Sequence, residues 1–162
     1  EWFFQRAFAK GCQKVVLIGS DSPDLPSAII SNAFRELEDF DVVLSPAADG
    51  GYVLIGLRSF SEGMFADVEW SAATTLVDTL RAAKQRALSV RLLQLWYDID
   101  VVENLGTFIA MQSENGSGAA DCPATSAAIR RQWSIIEAAL RSCGRPHRAT
   151  DPNASCRGVD DS

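Results

Sequence analysis

The chain has 162 residues, 47% hydrophobic and 22% charged, with a formal net charge of −6, the size and balance of one globular domain around one core. That acidic balance argues against a nucleic-acid surface, which needs clustered Lys and Arg, but leaves open a small anionic substrate where a metal supplies positive charge. No apolar run approaches the roughly eighteen residues of a membrane span, so neither nucleic acid nor membrane is an expected partner.

Cys12, Cys122, Cys143 and Cys156 form no CxxC pair and have no histidine at ligand spacing. They read as scattered reduced thiols of a cytoplasmic protein, not as a zinc site. His147, the single histidine, lies in a polar tail, so Ser–His and Cys–His pairs are hard to build. Carboxylates and a metal are the chemistry available.

Residue 1 is Glu, and Trp2, Phe3, Phe4 and Phe8 make the start apolar without the basic segment of a signal peptide. The expectation is a chain entered in mid-helix, truncated at its N-terminus, with these aromatics more exposed than core aromatics. Residues 2–10 predict a helix with its aromatics on one face, ended by Gly11. Lys14-Val15-Val16-Leu17-Ile18 is a continuous apolar run of the kind found in central parallel strands. After the polar loop 19–26 (GSDSPDLP), Pro26 suits the first position of a helix over about 27–38. Ile29, Ile30, Ala33, Phe34 and Leu37 lie on its inner face.

Asp41–Ser45 predicts a second buried strand, Asp49-Gly50-Gly51 a turn, and Tyr52–Gly56 a third strand. Residues 57–70 read as irregular. Ser71 predicts the N-cap of a helix to about 87, with Leu76, Val77, Leu80, Ala83 and Ala87 inward. A strand over 89–95 follows, then Asp98-Ile99-Asp100, then a helix with Val101, Val102, Leu105, Phe108 and Ile109 inward. This alternation predicts a mostly parallel sheet covered by helices. Residues 113–124 read as a linker and about 125–142 as a helix with Ile129, Trp133, Ile136 and Leu140 on one face. Residues 143–162 read as disordered.

Ligands of open α/β sheets bind beyond the carboxyl ends of strands. Three loops fall at such ends: Gly19-Ser20-Asp21-Ser22-Pro23, Ala48-Asp49-Gly50-Gly51-Tyr52 and Tyr97-Asp98-Ile99-Asp100. Their carboxylates suit Mg²⁺ or Mn²⁺, which take oxygen ligands and share them with phosphates. Each residue also has a plainer role. Asp21 could close an Asx turn or cap a helix. Asp98 or Asp100 could cap the helix from Val101. The Asp49-Gly50-Gly51 segment could be a simple turn, Tyr52 a packing residue, and Ser20 and Ser22 solvated. Trp70 is either core or a lid on a sugar ring.

Together and in this order, GSDSPDLP, DVVLSPAADGGYVLIGL, MFADVEWS and DID before a helix resemble a bacterial family of GT-A-like glycosyltransferases associated with radical-SAM proteins or arsenosugar-type biosynthesis. More distantly they are similar to the molybdenum-cofactor and phospholactate nucleotidyltransferases. The resemblance covers roughly residues 2–112 and implies a three-layer α/β/α sandwich with a mixed sheet, of GT-A-like nucleotide-diphospho-sugar transferase fold. Residues 1–112 would form the C-terminal part of that domain, residues 113–142 a linker and accessory helix, and 143–162 a tail. It further implies that Asp21 and Asp100 hold the metal, with Asp98 as the fallback, and that Asp21 and Asp49 are catalytic. Gly50, Gly51 and Tyr52 would line the loop that approaches the acceptor or sugar. Trp70-Ser71 matches a family signature that carries no assigned role, so Ser20, Ser22 and Trp70 are substrate contacts expected from their own chemistry.

Two departures stand out. The family continues its late motif as Asp-Thr-Pro-Glu-Asp, whereas Asp100 here precedes Val101-Val102-Glu103-Asn104. The family's N-terminal strand and phosphate loop are also absent, so this chain alone is expected to bind nucleotide poorly and be inactive. The expected function of the intact protein is metal-dependent transfer on a nucleotide-linked substrate, favouring glycosyl transfer from a nucleotide-sugar to a small acceptor. Nucleotidyl transfer with pyrophosphate release is the alternative, and a non-catalytic remnant the third.

Overall fold

The computed structural model describes residues 1–114 and 122–142. The expected tail 143–162 and most of the expected linker lie outside the described residues. The chain divides into two units, Glu1–Asp98 and a second beginning at Ile99.

In the first unit, apolar segments punctuated by Gly, Pro and Asp give α1 (Trp2–Ala9), β1 (Val15–Ile18), α2 (Ser27–Glu36) and β2 (Val42–Pro46), then β3 (Tyr52–Leu57), α3 (Thr75–Gln85) and β4 (Val90–Leu92). The strands form one sheet in the order β1-β3-β2-β4. Strand β3 is antiparallel to both β1 and β2, whereas β4 is parallel to β2. The sheet is therefore mixed, as the family resemblance implied, and not mostly parallel as alternation alone suggested. The five residues 47–51 between β2 and β3 are too few for a crossover, so β3 must turn back on β2.

Side chains alternate across the sheet. Val42, Leu44, Ile55 and Leu57 face Phe4, Met64, Phe65, Val68 and Ala83 on the side of α1 and α3. On the other face, Val43 and Leu54 meet Ile29, Ala33 and Leu37 of the α2 segment. Helices on both faces make three layers, and each fully buried Val or Leu contributes about 1.5–3 kcal/mol.

Several expectations change in detail, and Phe34 and Val101, expected to face inward, are exposed. Strand β1 lies at the sheet edge, not its centre, and its last residue Ile18 is 52% exposed. An apolar run cannot distinguish an edge strand from a central one when helices still cover its faces. The aromatics of α1 split: Phe4 is buried and Phe8 partly buried four residues on, while Trp2 and Phe3 are 57% and 65% exposed.

Helix α3 begins at Thr75, not near Ser71, which adopts φ 56°. Its buried face includes Thr75 and Thr79, while Val77 is exposed. The threonine hydroxyls can be buried because backbone carbonyls accept from them. Thr75 Oγ1 lies 2.7 Å from Glu69 O and 2.8 Å from Ala72 O, and Thr79 Oγ1 2.8 Å from Thr75 O.

The second unit contains α4 (Val102–Glu114), α5 (Pro123–Arg131) and α6 (Trp133–Ser142). The expected single helix over 125–142 is thus two helices meeting at Gln132. Phe108, Ile109, Ile129 and Leu140 are buried, and α6 packs against both α4 and α5. Among the described residues, no helix is long and apolar enough to cross a membrane.

Candidate active site

Because β3 runs opposite to its neighbours, β1, β2 and β4 all point one way, and the loops that follow them share one edge of the sheet. The register levels two of these strands: Ile18 and Ser45 both pair with Leu54. Beyond β4 the chain keeps following β2. Leu93 N–H donates to Leu44 O (2.8 Å), Trp96 N–H donates to Pro46 O (3.0 Å), and Ser45 Oγ donates to Gln94 O (2.5 Å). Val42 pairs with Val90 and Leu44 with Leu92, but Ala47 pairs with Trp96. The offset thus grows from 48 to 49 residues (90 − 42 against 96 − 47), a one-residue slip.

That slip sets the chemistry. Two residues beyond the Ala47–Trp96 pair lie Asp49 and Asp98, whose carboxylate oxygens come within 4.8 Å of each other. Asp49 is exposed and Asp98 partly buried. Gly51 N–H donates to Asp49 Oδ1 at 2.9 Å, so the turn orients that side chain. Asp49 therefore fulfils its plain turn role and also faces a second carboxylate. The turn depends on Gly50, at φ +94°, where an added Cβ would lie 2.1 Å from Ala73 O. Leu76 N–H donates to Gly50 O at 2.9 Å, tying this turn to the start of α3.

The first loop leaves β1 with Gly19 N–H still donating to Val53 O (2.9 Å). Ser20 and Asp21 are exposed. The Asp21 carboxylate folds back over Gly19, where a Cβ would stand 2.4 Å from Asp21 Oδ1. Asp21 is not one of the carboxylates gathered at Asp49 and Asp98. Asp100, the expected partner of Asp21, is exposed at the start of the second unit. Ser22 is buried, and its hydroxyl donates to Tyr97 O at 2.9 Å.

The Tyr52 ring packs on the core, with its hydroxyl 3.4 Å from Thr79 Oγ1. Burial pushes the phenol's pKa up, against the opposing effect of the Thr79 contact. Trp70 is 55% exposed, its ring 5.9 Å from that of Phe65 and tilted by 43°. It belongs to the segment that meets the Asp49–Gly51 turn through Ala73. The roles of Asp24, Trp96 and Tyr97 were not foreseen. Asp24 accepts from the Tyr97 hydroxyl and from Trp96 Nε1, the latter at 3.4 Å. Their positions, inside GSDSPDLP and immediately before Asp98, were the available signal.

Residues 2–72 match the family described as "Uncharacterized protein conserved in bacteria (DUF2064)". Among solved structures, the chain is similar to the crystal structure of a "putative nucleotide-diphospho-sugar transferase" from Desulfovibrio desulfuricans G20. The TM-score is 0.73 and the identity 32%, over 85% of this chain. The chain spans 59% of that protein's length. No curated protein matches the chain. The fold is α/β with the GT-A-like architecture of nucleotide-diphospho-sugar transferases.

Proposed function

We propose that this chain carries the metal-binding edge of a transferase that moves a sugar from a nucleotide-sugar to a small-molecule acceptor. The observation that carries the reading is the pairing of Asp49 with Asp98, set by the parallel run of residues 90–98 along β2. Similarity to a protein described as a nucleotide-diphospho-sugar transferase supports the substrate class.

Two carboxylates offer hard oxygen donors, which suit Mg²⁺ or Mn²⁺ and suit softer metals poorly. Gly51 N–H occupies Asp49 Oδ1 alone, leaving Oδ2 as a donor. Asp49 and Asp98 would hold the ion, Asp98 being the fallback ligand that the family motif implied, while Asp21 lies outside this pair. When bound, the cation would neutralise charge developing on the leaving diphosphate. Ser20 and Asp21, exposed on the neighbouring loop, would contact the nucleotide. The exposed Trp70 indole would offer a flat apolar surface to a sugar ring. In the transfer, an acceptor hydroxyl attacks the anomeric carbon and its proton passes to a carboxylate. The bond from that carbon to the diphosphate oxygen breaks, and the nucleoside diphosphate leaves with the electron pair.

The test, run on the whole transferase that carries this chain, is turnover of a panel of nucleotide-sugars with Mn²⁺, monitored as nucleoside diphosphate release. Asp98→Asn should lower kcat by about 100-fold, equivalent to about 2.7 kcal/mol of transition-state stabilisation, with a smaller change in KM. Trp70→Ala should act mainly on KM. Pyrophosphate release from a nucleoside triphosphate would instead identify nucleotidyl transfer. An Asp98→Asn enzyme with wild-type kcat would refute the metal assignment.

A further inference from the structure

We infer that Asp24 is a positioning residue that holds Asp98 beside Asp49 by fastening the Trp96–Tyr97 pair to the first loop. The role of that pair in transfer rests on the reading above, whereas the fastening itself is a separate claim about the fold.

Regular pairing of β4 with β2 ends at Leu92, and the one-residue slip before Trp96 leaves residues 93–98 without a continuous ladder. On the β2 side, backbone contacts to Leu44 O and Pro46 O hold this segment. Both carboxylate oxygens of Asp24 also take aromatic donors from this segment, Trp96 Nε1–H at Oδ1 and Tyr97 O–H at Oδ2. The two rings stack with centroids 5.5 Å apart and planes 24° apart, so Asp24 grips them as one body. Buried Ser22 adds a bond to the Tyr97 carbonyl, the peptide group adjoining Asp98.

Among the described residues, no Arg or Lys forms a salt bridge with Asp24. Its carboxylate is committed to the two donors immediately before Asp98. An ionised acceptor strengthens such bonds and fixes side chains whose own freedom would otherwise loosen the segment. Partners of this kind set ligand orientation and commonly change metal affinity by about 10–100-fold when removed.

The experiment uses the full chain and two readouts: amide hydrogen exchange of residues 94–98 without metal, and Mn²⁺ affinity from the electron paramagnetic resonance of free Mn²⁺. Asp24→Ala should speed exchange in 94–98 by about tenfold and weaken Mn²⁺ binding by about tenfold. Asp24→Asn should recover much of both, because its amide can accept from Trp96 and donate to the Tyr97 oxygen. Tyr97→Phe, which removes only the hydroxyl, supplies the same test should Asp24→Ala fail to fold. Unchanged exchange in 94–98 in the folded variants would overturn the fastening. Faster exchange with unchanged Mn²⁺ affinity would overturn the positioning role. A wild-type protein that binds no Mn²⁺ would remove the metal reading and this positioning role together, while the exchange data still decide the fastening.

Discussion

Asp41 sits at the end of the sheet opposite the candidate site, where three segments meet. Ser89 donates to Asp41 Oδ2 through its hydroxyl (2.6 Å) and its N–H (2.8 Å), and Arg58 donates to Oδ1 (2.5 Å). The Ser89 bonds, more than the partly exposed Arg58, hold the carboxyl below its usual 3.8. The stabilisation is therefore fully present above pH 3.8 and is lost as pH falls through the lower folded value. Asp41→Asn should cost about 1–2 kcal/mol at pH 7, at the modest end for charged bonds because Arg58 is 43% exposed. Urea melts from pH 7 to pH 2.5 should show the gap to wild type closing in acid, and a constant gap would contradict this account. The candidate ligands were legible as individual residues: Asp49 and Asp98 both stood in loops after apolar runs. Their pairing was not legible, because it depends on β4 lying beside β2 and on a one-residue slip that no local pattern encodes.

Strand β3 shows the same limit at the level of elements. Its apolar residues and the Asp-Gly-Gly turn identify a strand, but its reversed direction follows from loop length, and its central place from pairing with both β1 and β2. Gly56 in its middle carries a packing constraint invisible in the sequence. A Cβ there would lie 2.6 Å from Val43 Cγ2, 3.0 Å from Leu37 Cδ1 and 3.2 Å from Val16 Cγ2. These atoms come from both flanking strands and from the residue that follows α2, so relief of the clash requires several parts to move. Gly56→Ala should destabilise the protein by about 1–3 kcal/mol, read as a lower urea midpoint with unchanged slope. An unchanged midpoint would mean that α2 is not seated as closely as described. The break between α5 and α6 escaped for a related reason: Ile129, Trp133, Ile136 and Leu140 keep helical spacing across Gln132, where the chain turns.

At the scale of the molecule, the first unit distributes its burial unevenly across the sheet. Strands β2 and β3 each have partners on both sides, and their apolar residues from Val42 to Leu44 and from Val53 to Leu57 are buried. Strand β1 has one partner and ends in exposed Ile18, while β4 is three residues long with Arg91 and Leu92 exposed. Opening an edge strand exposes little apolar area and breaks one ladder, whereas opening β2 or β3 breaks two ladders and uncovers both faces of the core. Local opening should therefore cost least at the edges and approach the global unfolding free energy in the centre. Hydrogen exchange under native conditions, followed by mass spectrometry of peptides, should protect the β2 and β3 segments most. Peptides covering β1 and β4 should exchange at least about tenfold faster, the factor that a 1.4 kcal/mol difference in opening free energy produces. Protection in β1 equal to that in β3 would show that β1 does not behave as an edge in solution, and would require another backbone segment or another copy of the chain to be paired along its open side.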